Sequence, residues 1–262
     1  MAIDLKSLTT GGGSKPPRIL FYAVHGIGKT SFAANAPAPV FIQTEDGLGE
    51  QSEETRNAAR FPIAASYQDV SDALTVLATE KHDFMTVAVD SLDWLEPLIL
   101  QRVCEHQGVN TIEAIPYGKG FVMALDIWRE FTQALNYLRN EKTMLVIETA
   151  HADVKRYEAP DQNSYDRYMM KLNPKAAAIV EENADIVLFG NYKTFTKEDA
   201  NAPGKKGEKR LIAVGNNQRF LYTAERPAFR AKNRYNLPEE IPLDGNVWGV
   251  LSEHIGYLKQ LT

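Results

Sequence analysis

The apolar positions of this chain form short continuous runs that alternate with amphipathic runs. Helical periodicity begins near residue 29, returns over residues 69–80, and then links Phe121, Leu125, Trp128, Phe131, Leu135 and Leu138 at steps of three and four. The continuous runs are residues 19–24, 40–45, 84–90, 144–149 and 185–189. Apolar strands separated by helices predict an α/β fold, whose mostly parallel central sheet is covered by helices on both faces.

The two ends of the chain differ from this alternation. Residues 209–225 read as two strands around "GNN", a turn signal, and predict an antiparallel hairpin at the sheet edge. Residues 1–17 end in glycines and prolines and predict a flexible segment, which is either a disordered tail or a piece that docks on a neighbouring subunit. We therefore predict a core over residues 18–242, followed by a helical tail over residues 243–262.

Composition limits the partners and the compartment. The net charge of −5 over 262 residues makes the whole chain a poor electrostatic trap for nucleic acid, so local basic loops would have to bind it. Cys104 is the only cysteine, which excludes an internal disulfide and fits a reducing compartment. We find no signal peptide and no apolar run of membrane-spanning length, and we expect a cytoplasmic protein without membrane partners.

The first apolar run leads into "AVHGIGKT", a phosphate-loop pattern in which Ala23 stands where the first glycine is usual. A methyl group is tolerated there if residue 23 keeps an ordinary backbone conformation. The glycines would turn backbone N–H groups toward a β-phosphate, Lys29 would reach the β- and γ-phosphates, and Thr30 would bind Mg²⁺. The predicted nucleotide-binding residues are His25, Gly26, Ile27, Gly28, Lys29, Thr30 and Ser31.

Acidic residues follow two of the other strands. Asp90 ends the run at residues 84–90 and is the second predicted Mg²⁺ residue, with Thr30. Glu45 ends the strand after the phosphate-loop helix, and parallel strands would bring both carboxylates to the same edge of the sheet. We predict that Glu45 orients the attacking water, and Asp46 is the competing choice.

The stretches "VFIQTEDGL", "VAVDSLDWL" and "MLVIETAHA", in this order after "HGIGKT", resemble the RecA-type ATPase core. The resemblance is greatest to phage-encoded RecA-like single-strand annealing ATPases of the Sak group, also known as phage AAA ATP-binding proteins. It extends from about residue 18 to residue 242. It implies an oligomeric Mg²⁺-dependent ATPase in which Glu45 activates water and Thr149 or His151 senses the γ-phosphate.

The same resemblance implies two DNA-facing loops, over residues 105–120 and 152–172. Both contain cations and aromatic rings, which can neutralise phosphates and stack on unpaired bases. The predicted DNA-binding residues are Tyr117, Lys119, Lys155, Arg156, Tyr157, Arg167 and Lys171. Residues 203–210 are predicted to be an exposed turn.

The stretch "AKNR" resembles the paired cations that RecA-fold assemblies project into a neighbour's ATP site, with Lys232 and Arg234 as the matching residues. Positive charge supplied in trans would make hydrolysis depend on assembly. A solvated basic hairpin is the alternative.

The leading functional hypothesis is an ATPase that assembles on single-stranded DNA, as a ring or a filament, and promotes annealing in recombination. A single-strand-binding protein is a further partner that this function allows. The main alternative is a binding or loading module that ATP switches with little hydrolysis. A ring helicase is disfavoured because no second domain is evident, and a small-molecule kinase because no arginine-rich lid is found.

Overall fold

The computed structural model describes residues 14–47, 52–159, 163–198 and 211–261. The predicted N-terminal segment up to residue 13 and the predicted turn at residues 203–210 lie outside this part of the chain. No helix within it is long and apolar enough to cross a membrane.

A central sheet organises the fold. Its strands are β1 (Arg18–Ala23), β2 (Pro39–Gln43), β3 (Ala59–Arg60), β4 (Thr86–Asp90), β5 (Leu145–Tyr157), β6 (Tyr165–Met170), β7 (Ile186–Glu198), β8 (Leu211–Tyr222), β9 (Lys232–Asn233) and β10 (Glu240–Pro242). The main strand order is β10-β8-β7-β1-β5-β4-β2-β3, while β6 pairs with β5 and β9 pairs with β7. The strands from β7 to β3 pair in parallel, and β8 and β10 close the other side in antiparallel pairs. This is the predicted α/β fold class, a mostly parallel central sheet with an antiparallel edge.

Helices cover both faces of the sheet. They are α1 (Lys29–Ala34), α2 (Glu53–Asn57), α3 (Tyr67–Thr79), α4 (Leu92–Gln107), α5 (Lys119–Glu141), α6 (Pro174–Asn183), α7 (Val247–His254) and α8 (Gly256–Lys259), with 3-10 turns at Ile112–Ala114 and Pro116–Gly118. Side chains of β1 alternate between two buried clusters, because successive strand residues point to opposite faces. Leu20 packs with α3 to α6, and Ile19 packs with α1, α7 and α8. The predicted tail is therefore part of the core on the α1 side.

Two strands differ from their predicted form. The "GNN" stretch lies inside β8, and the predicted turn there is wrong: the β7–β8 register shifts between Tyr192/Arg219 and Thr194/Gly215, so the extra residues form a bulge. Asn217 has φ 58°, a left-handed conformation that suits a bulge as well as a turn. The run at residues 144–149 continues to Tyr157 as the longer strand β5.

Candidate functional site

The phosphate loop connects β1 to α1. Gly26 and Gly28 have φ angles of 73° and 109°, in the left-handed region that side chains disfavour. Lys29 is the first residue of α1, directly after the loop. The loop thus has the backbone turns that a phosphate cradle requires, at the two glycines that the motif retains.

Ala23 fits the loop without strain. It is the last residue of β1 and lies in register with His151 of β5 and Gly190 of β7. A methyl group on Gly190 would lie 2.9 Å from the Ala23 methyl group and 2.7 Å from the Phe21 ring. The missing side chain at residue 190 therefore makes room for the methyl group that replaces the usual first glycine.

Three predicted residues meet where β2 and β4 end. Thr30 Oγ1 donates a hydrogen bond to Asp90 Oδ2 at 2.7 Å. A methyl group on Gly47 would lie 3.4 Å from Asp90 Oδ2, 3.5 Å from Thr30 Oγ1 and 3.9 Å from Glu45 Cγ. Residues far apart in the chain are therefore neighbours beside the phosphate loop.

Glu45 is held in place by the neighbouring strand. Ser91 Oγ donates to Glu45 Oε1 at 2.6 Å. Thr44 braces Ser91 in turn, because its hydroxyl accepts from the Ser91 amide at 2.9 Å and donates to the Ser91 carbonyl at 2.7 Å. Asp46, the competing choice, is exposed. The placement favours Glu45 over Asp46 for contact with a molecule at the loop.

Lys29 adds a buried positive charge to this cluster. Its side chain is largely removed from water, and burial lowers the pKa of its ammonium group. The negative charges of Asp90, Asp93 and Glu45 partly offset that effect. A bound polyphosphate would supply further negative charge and favour the charged lysine.

Both candidate phosphate sensors lie on β5 next to these groups. Thr149 Oγ1 donates to Asp90 Oδ1, the carboxylate oxygen that does not accept the hydrogen bond from Thr30. The ring of His151 donates from Nδ1 to Asp93 Oδ2, and its backbone amide donates to Asp93 Oδ1, each at 2.9 Å. His151 is therefore buried and oriented.

His25 of the loop stacks on His151, with ring centroids 4.1 Å apart. The electrostatic effect of the neighbouring His151, and secondarily desolvation, lower the pKa of His25. Burial alone would raise the pKa of Asp93, but the hydrogen bonds from His151 outweigh it and hold that pKa at about 2. The stacked His25 and His151 rings, together with the ionised carboxylate of Asp93, thus connect the loop to β5 and α4.

The donor set fits a nucleotide with Mg²⁺. The hydroxyl of Thr30 and the carboxylate of Asp90 are the hard oxygen donors that Mg²⁺ prefers, and they already touch. Thr30 and Asp90 would hold Mg²⁺, which would supply positive charge beside the phosphates of a bound nucleotide.

The second predicted DNA loop is a hairpin. β5 and β6 pair in antiparallel register from Ala152/Met170 to Tyr157/Tyr165. Arg167 points inward, is 5% exposed, and donates to the Glu225 carboxylate at 2.6 Å and to the Phe229 carbonyl at 3.0 Å. The prediction that Arg167 binds DNA is wrong for this structure, because its side chain already serves to fasten the hairpin to residues 225–229.

The other predicted DNA-binding side chains differ in exposure. Tyr157 lies under the Arg167 guanidinium and contacts Tyr165 edge to face. Lys155 is half-buried and donates to the Leu172 carbonyl at 3.4 Å. The exposed ones are Tyr117, Lys119, Arg156 and Lys171. Lys171 stands at the base of the hairpin, where its backbone amide bonds the His151 carbonyl.

Lys232 and Arg234 lie at the amino edge of the sheet, opposite the phosphate loop. Lys232 Nζ donates to the carbonyls of Glu181, Glu182 and Ala184 at 2.7–3.3 Å, so it caps the end of α6. The prediction that Lys232 reaches a neighbour's ATP site is corrected accordingly. Arg234 pairs with Asp185 at 3.1 Å but remains 55% exposed, and it is still available to a neighbour.

Replacing Lys232 by methionine should lower the free energy of unfolding by about 1–3 kcal/mol, because partly buried helix-end carbonyls would lose a charged donor. Urea denaturation measures this change, with the exposed Lys81→Met as the matched control. Unchanged stability with loss of ATP hydrolysis at high protein concentration would instead restore the role in trans.

Several residues that hold the site together carry no motif. Ser91 follows Asp90, Asp93 lies in the first turn of α4, and their place just after β4 was the available signal. Tyr192 Oη donates to the Gly26 carbonyl at 3.2 Å, and Arg219 Nη1 donates to the Ile27 carbonyl at 3.2 Å. These two residues face each other across the β7–β8 pair and hold the loop from the side away from the acids, which sequence spacing alone does not indicate.

Comparisons with known proteins identify the family of the chain. A family model described as "AAA domain" matches residues 15–235. The search of curated proteins gave no match. A crystal structure of the RadB recombinase is similar at TM-score 0.48, with 13% identity over 88% of each chain. Because the family model spans most of the chain, the protein belongs to the AAA domain family and is a P-loop NTPase.

Proposed function

We propose that this protein is a Mg²⁺-dependent ATPase that binds single-stranded DNA and acts in recombination by annealing, with ATP sites shared between subunits. The likeness of its motifs to the single-strand annealing ATPases supports the DNA-directed part of the proposal. The geometry of the phosphate loop and its acids supports the ATPase part.

One observation carries the proposal: Thr30 bonds Asp90 beside the phosphate loop, and Ser91 fixes the carboxylate of Glu45 close to them. A nucleotide-binding site alone explains Thr30 and Asp90. A second carboxylate, fixed by Ser91 at the start of α4, is the feature that hydrolysis additionally needs. The arrangement therefore favours hydrolysis over binding alone.

Each residue has a distinct task in this scheme. Lys29 would place positive charge beside the β- and γ-phosphates, and Thr30 and Asp90 would hold Mg²⁺ through their side-chain oxygens. Glu45 accepts a proton from the attacking water, or orients it, while Ser91 keeps the carboxylate aimed. Thr149 and His151 report on the γ-phosphate through their contacts with Asp90 and Asp93.

Assembly would complete the site. Arg234 lies at the amino edge, half-exposed, and the phosphate loop lies at the carboxyl edge, so a head-to-tail assembly would bring one toward the other. Single-stranded DNA would contact the exposed cations and the 96% exposed ring of Tyr117. A single-strand-binding protein is a further partner of such an assembly.

ATP hydrolysis by the purified protein tests this function. We expect a rate per subunit that rises with protein concentration and with added single-stranded DNA, and that falls to background in Lys29→Ala. The variant Tyr117→Ala should lose the stimulation by DNA while keeping the basal rate. A wild-type rate equal to that of Lys29→Ala in every condition would contradict the proposal.

A second candidate is a module that ATP switches between binding states with little hydrolysis. The internal contacts of Arg167 and Lys232 favour it, because they remove two cations from the surfaces that DNA and a neighbouring ATP site would use. Tight ATP binding together with the absence of hydrolysis would identify this function.

A further inference from the structure

A cavity of about 320 Å³ adjoins the phosphate loop on the side away from the acids. Its lining includes Ser31, Asn35, Arg219, Leu243, Asn246 and Trp248. This volume is in the range of small-molecule sites. We propose that this cavity is the nucleoside pocket, which takes the ribose and base of the nucleotide whose phosphates lie on the loop.

The inference rests on the proposed ATPase function, and the strand order supplies its direction. β1, which leads into the phosphate loop, has β5 and β4 on one side and β7 and β8 on the other. Asp90 at the end of β4 marks the side of the γ-phosphate and the metal. A nucleotide in extended form must then direct its nucleoside toward β8, which is where the cavity lies.

The loop and the cavity share residues, so one molecule can reach both. Gly28 and Ser31 belong to the phosphate-binding segment and also line the cavity. Thr30, between them, faces Asp90 instead. The chain therefore passes from the metal side to the cavity side within one turn of α1.

The polar wall is fixed before any ligand arrives. Arg219 Nε donates to Asp244 Oδ1 at 2.9 Å, while Arg219 Nη1 donates to the Ile27 carbonyl at 3.2 Å. The guanidinium is thus held between the loop and residue 244, with its positive charge balanced by one carboxylate. A preoriented guanidinium can donate to, or stack on, a nucleotide base.

The apolar wall is also fixed. Trp248 stacks on Phe32 with ring centroids 5.0 Å apart, and its Nε1 donates to the Phe32 carbonyl at 2.9 Å. That carbonyl lies in the last turn of the short helix α1, where an intrahelical partner is lacking. Leu243 and Trp248 thus give a firm apolar surface beside the amides of Asn35 and Asn246, a combination suited to a base and a sugar.

The outer wall of the cavity is formed by residues that lie after the segment matched by the family model. The family model ends at residue 235, whereas Leu243, Asn246 and Trp248 come after it. The C-terminal segment therefore adds the nucleoside-binding part to a phosphate-binding core. Specificity for the base would depend on these late residues.

The test compares ATP with inorganic tripolyphosphate, which has no nucleoside, by titration calorimetry in the presence of Mg²⁺. We expect the wild type to bind ATP at least about tenfold tighter than tripolyphosphate. Trp248→Ala should bring the two affinities close together by weakening ATP alone. Trp94→Ala, which removes an exposed tryptophan of α4, should leave both affinities unchanged.

A second readout uses the unmodified protein first and a variant that keeps an aromatic ring at residue 248. ATP should alter the tryptophan fluorescence of the wild type and tripolyphosphate should not, and the ATP signal should vanish in Trp248→Phe. Equal affinities for ATP and tripolyphosphate in the wild type would overturn the nucleoside pocket and leave the phosphate loop intact. Failure of both ligands to bind would overturn the proposed function, and the pocket with it.

Discussion

Replacing Glu45 by glutamine is expected to slow ATP hydrolysis by about 10²–10⁴-fold while ATP affinity stays within a factor of about two. Glutamine keeps the oxygen that accepts the Ser91 hydrogen bond, so the local geometry should persist. It lacks the charge and the basicity that activate water. Single-turnover hydrolysis and ATP titration, measured on the same preparation, separate the two effects.

Asp46→Asn is the matched control, since it makes the same chemical change at the next residue, which is exposed. It should hydrolyse ATP at nearly the wild-type rate. If Asp46→Asn lost activity and Glu45→Gln kept it, Asp46 and not Glu45 would be the residue that orients the attacking water. If neither variant differed from a slow wild type, the ATP-switched module would be the better description.

The second large effect concerns the buried carboxyl group of Glu148 on β5. Its side chain is 3% exposed, and Oε1 has no hydrogen-bond partner among the described residues. Burial raises the pKa of Glu148 to about 8, although the charge of Arg18 acts in the opposite direction. At neutral pH the folded protein therefore keeps this carboxyl group protonated.

The sign of the pH dependence follows from proton binding. Between the ordinary pKa of 4.5 and about 8, the folded state binds a proton at Glu148 that the unfolded state has released. Stability is therefore lost as pH rises through this window, by up to about 1.4 kcal/mol per pH unit. Below pH 4.5 both states are protonated and the group contributes no slope.

Glu148→Gln should flatten this slope, and it should raise the free energy of unfolding at pH 8 by about 1–4 kcal/mol relative to the wild type. Urea denaturation at several pH values between 5 and 8 measures both quantities. Glu253→Gln, at an exposed position of α7, serves as the control and should follow the wild-type curve. Parallel curves for Glu148→Gln and the wild type would show that the carboxyl group ionises without cost in the folded state.

The parts of the fold that sequence patterns predicted are those where local and global signals agree. β1, α1 and β4 are short, strongly patterned, and bordered by the residues that define the phosphate loop and its acid. The "GNN" stretch was ambiguous because glycine and asparagine accept left-handed conformations in bulges and in turns alike. Only the pairing of β7 with β8 decides between the two.

For the site, chain order placed Glu45 and Asp90 because parallel strands end at one edge. The roles of the cations were harder to assign, because the local sequence around an arginine or lysine is the same whether the side chain contacts DNA or a helix end. Arg167 and Lys232 are engaged by partners 58 and 48 residues away in the chain, respectively, and such pairings leave no local trace. The pocket around Arg219 and Trp248 has the same origin in tertiary contacts.

β5 also has a mechanical consequence. This one uninterrupted strand carries Thr149 and His151 beside Asp90 and Asp93 and then extends past the sheet to Tyr157. A paired strand is stiff along its length, so a small displacement at the Thr149 end is transmitted to the far end without a hinge. If the proposed ATPase function holds, the position of the β5–β6 hairpin would therefore change with the occupancy of the nucleotide site.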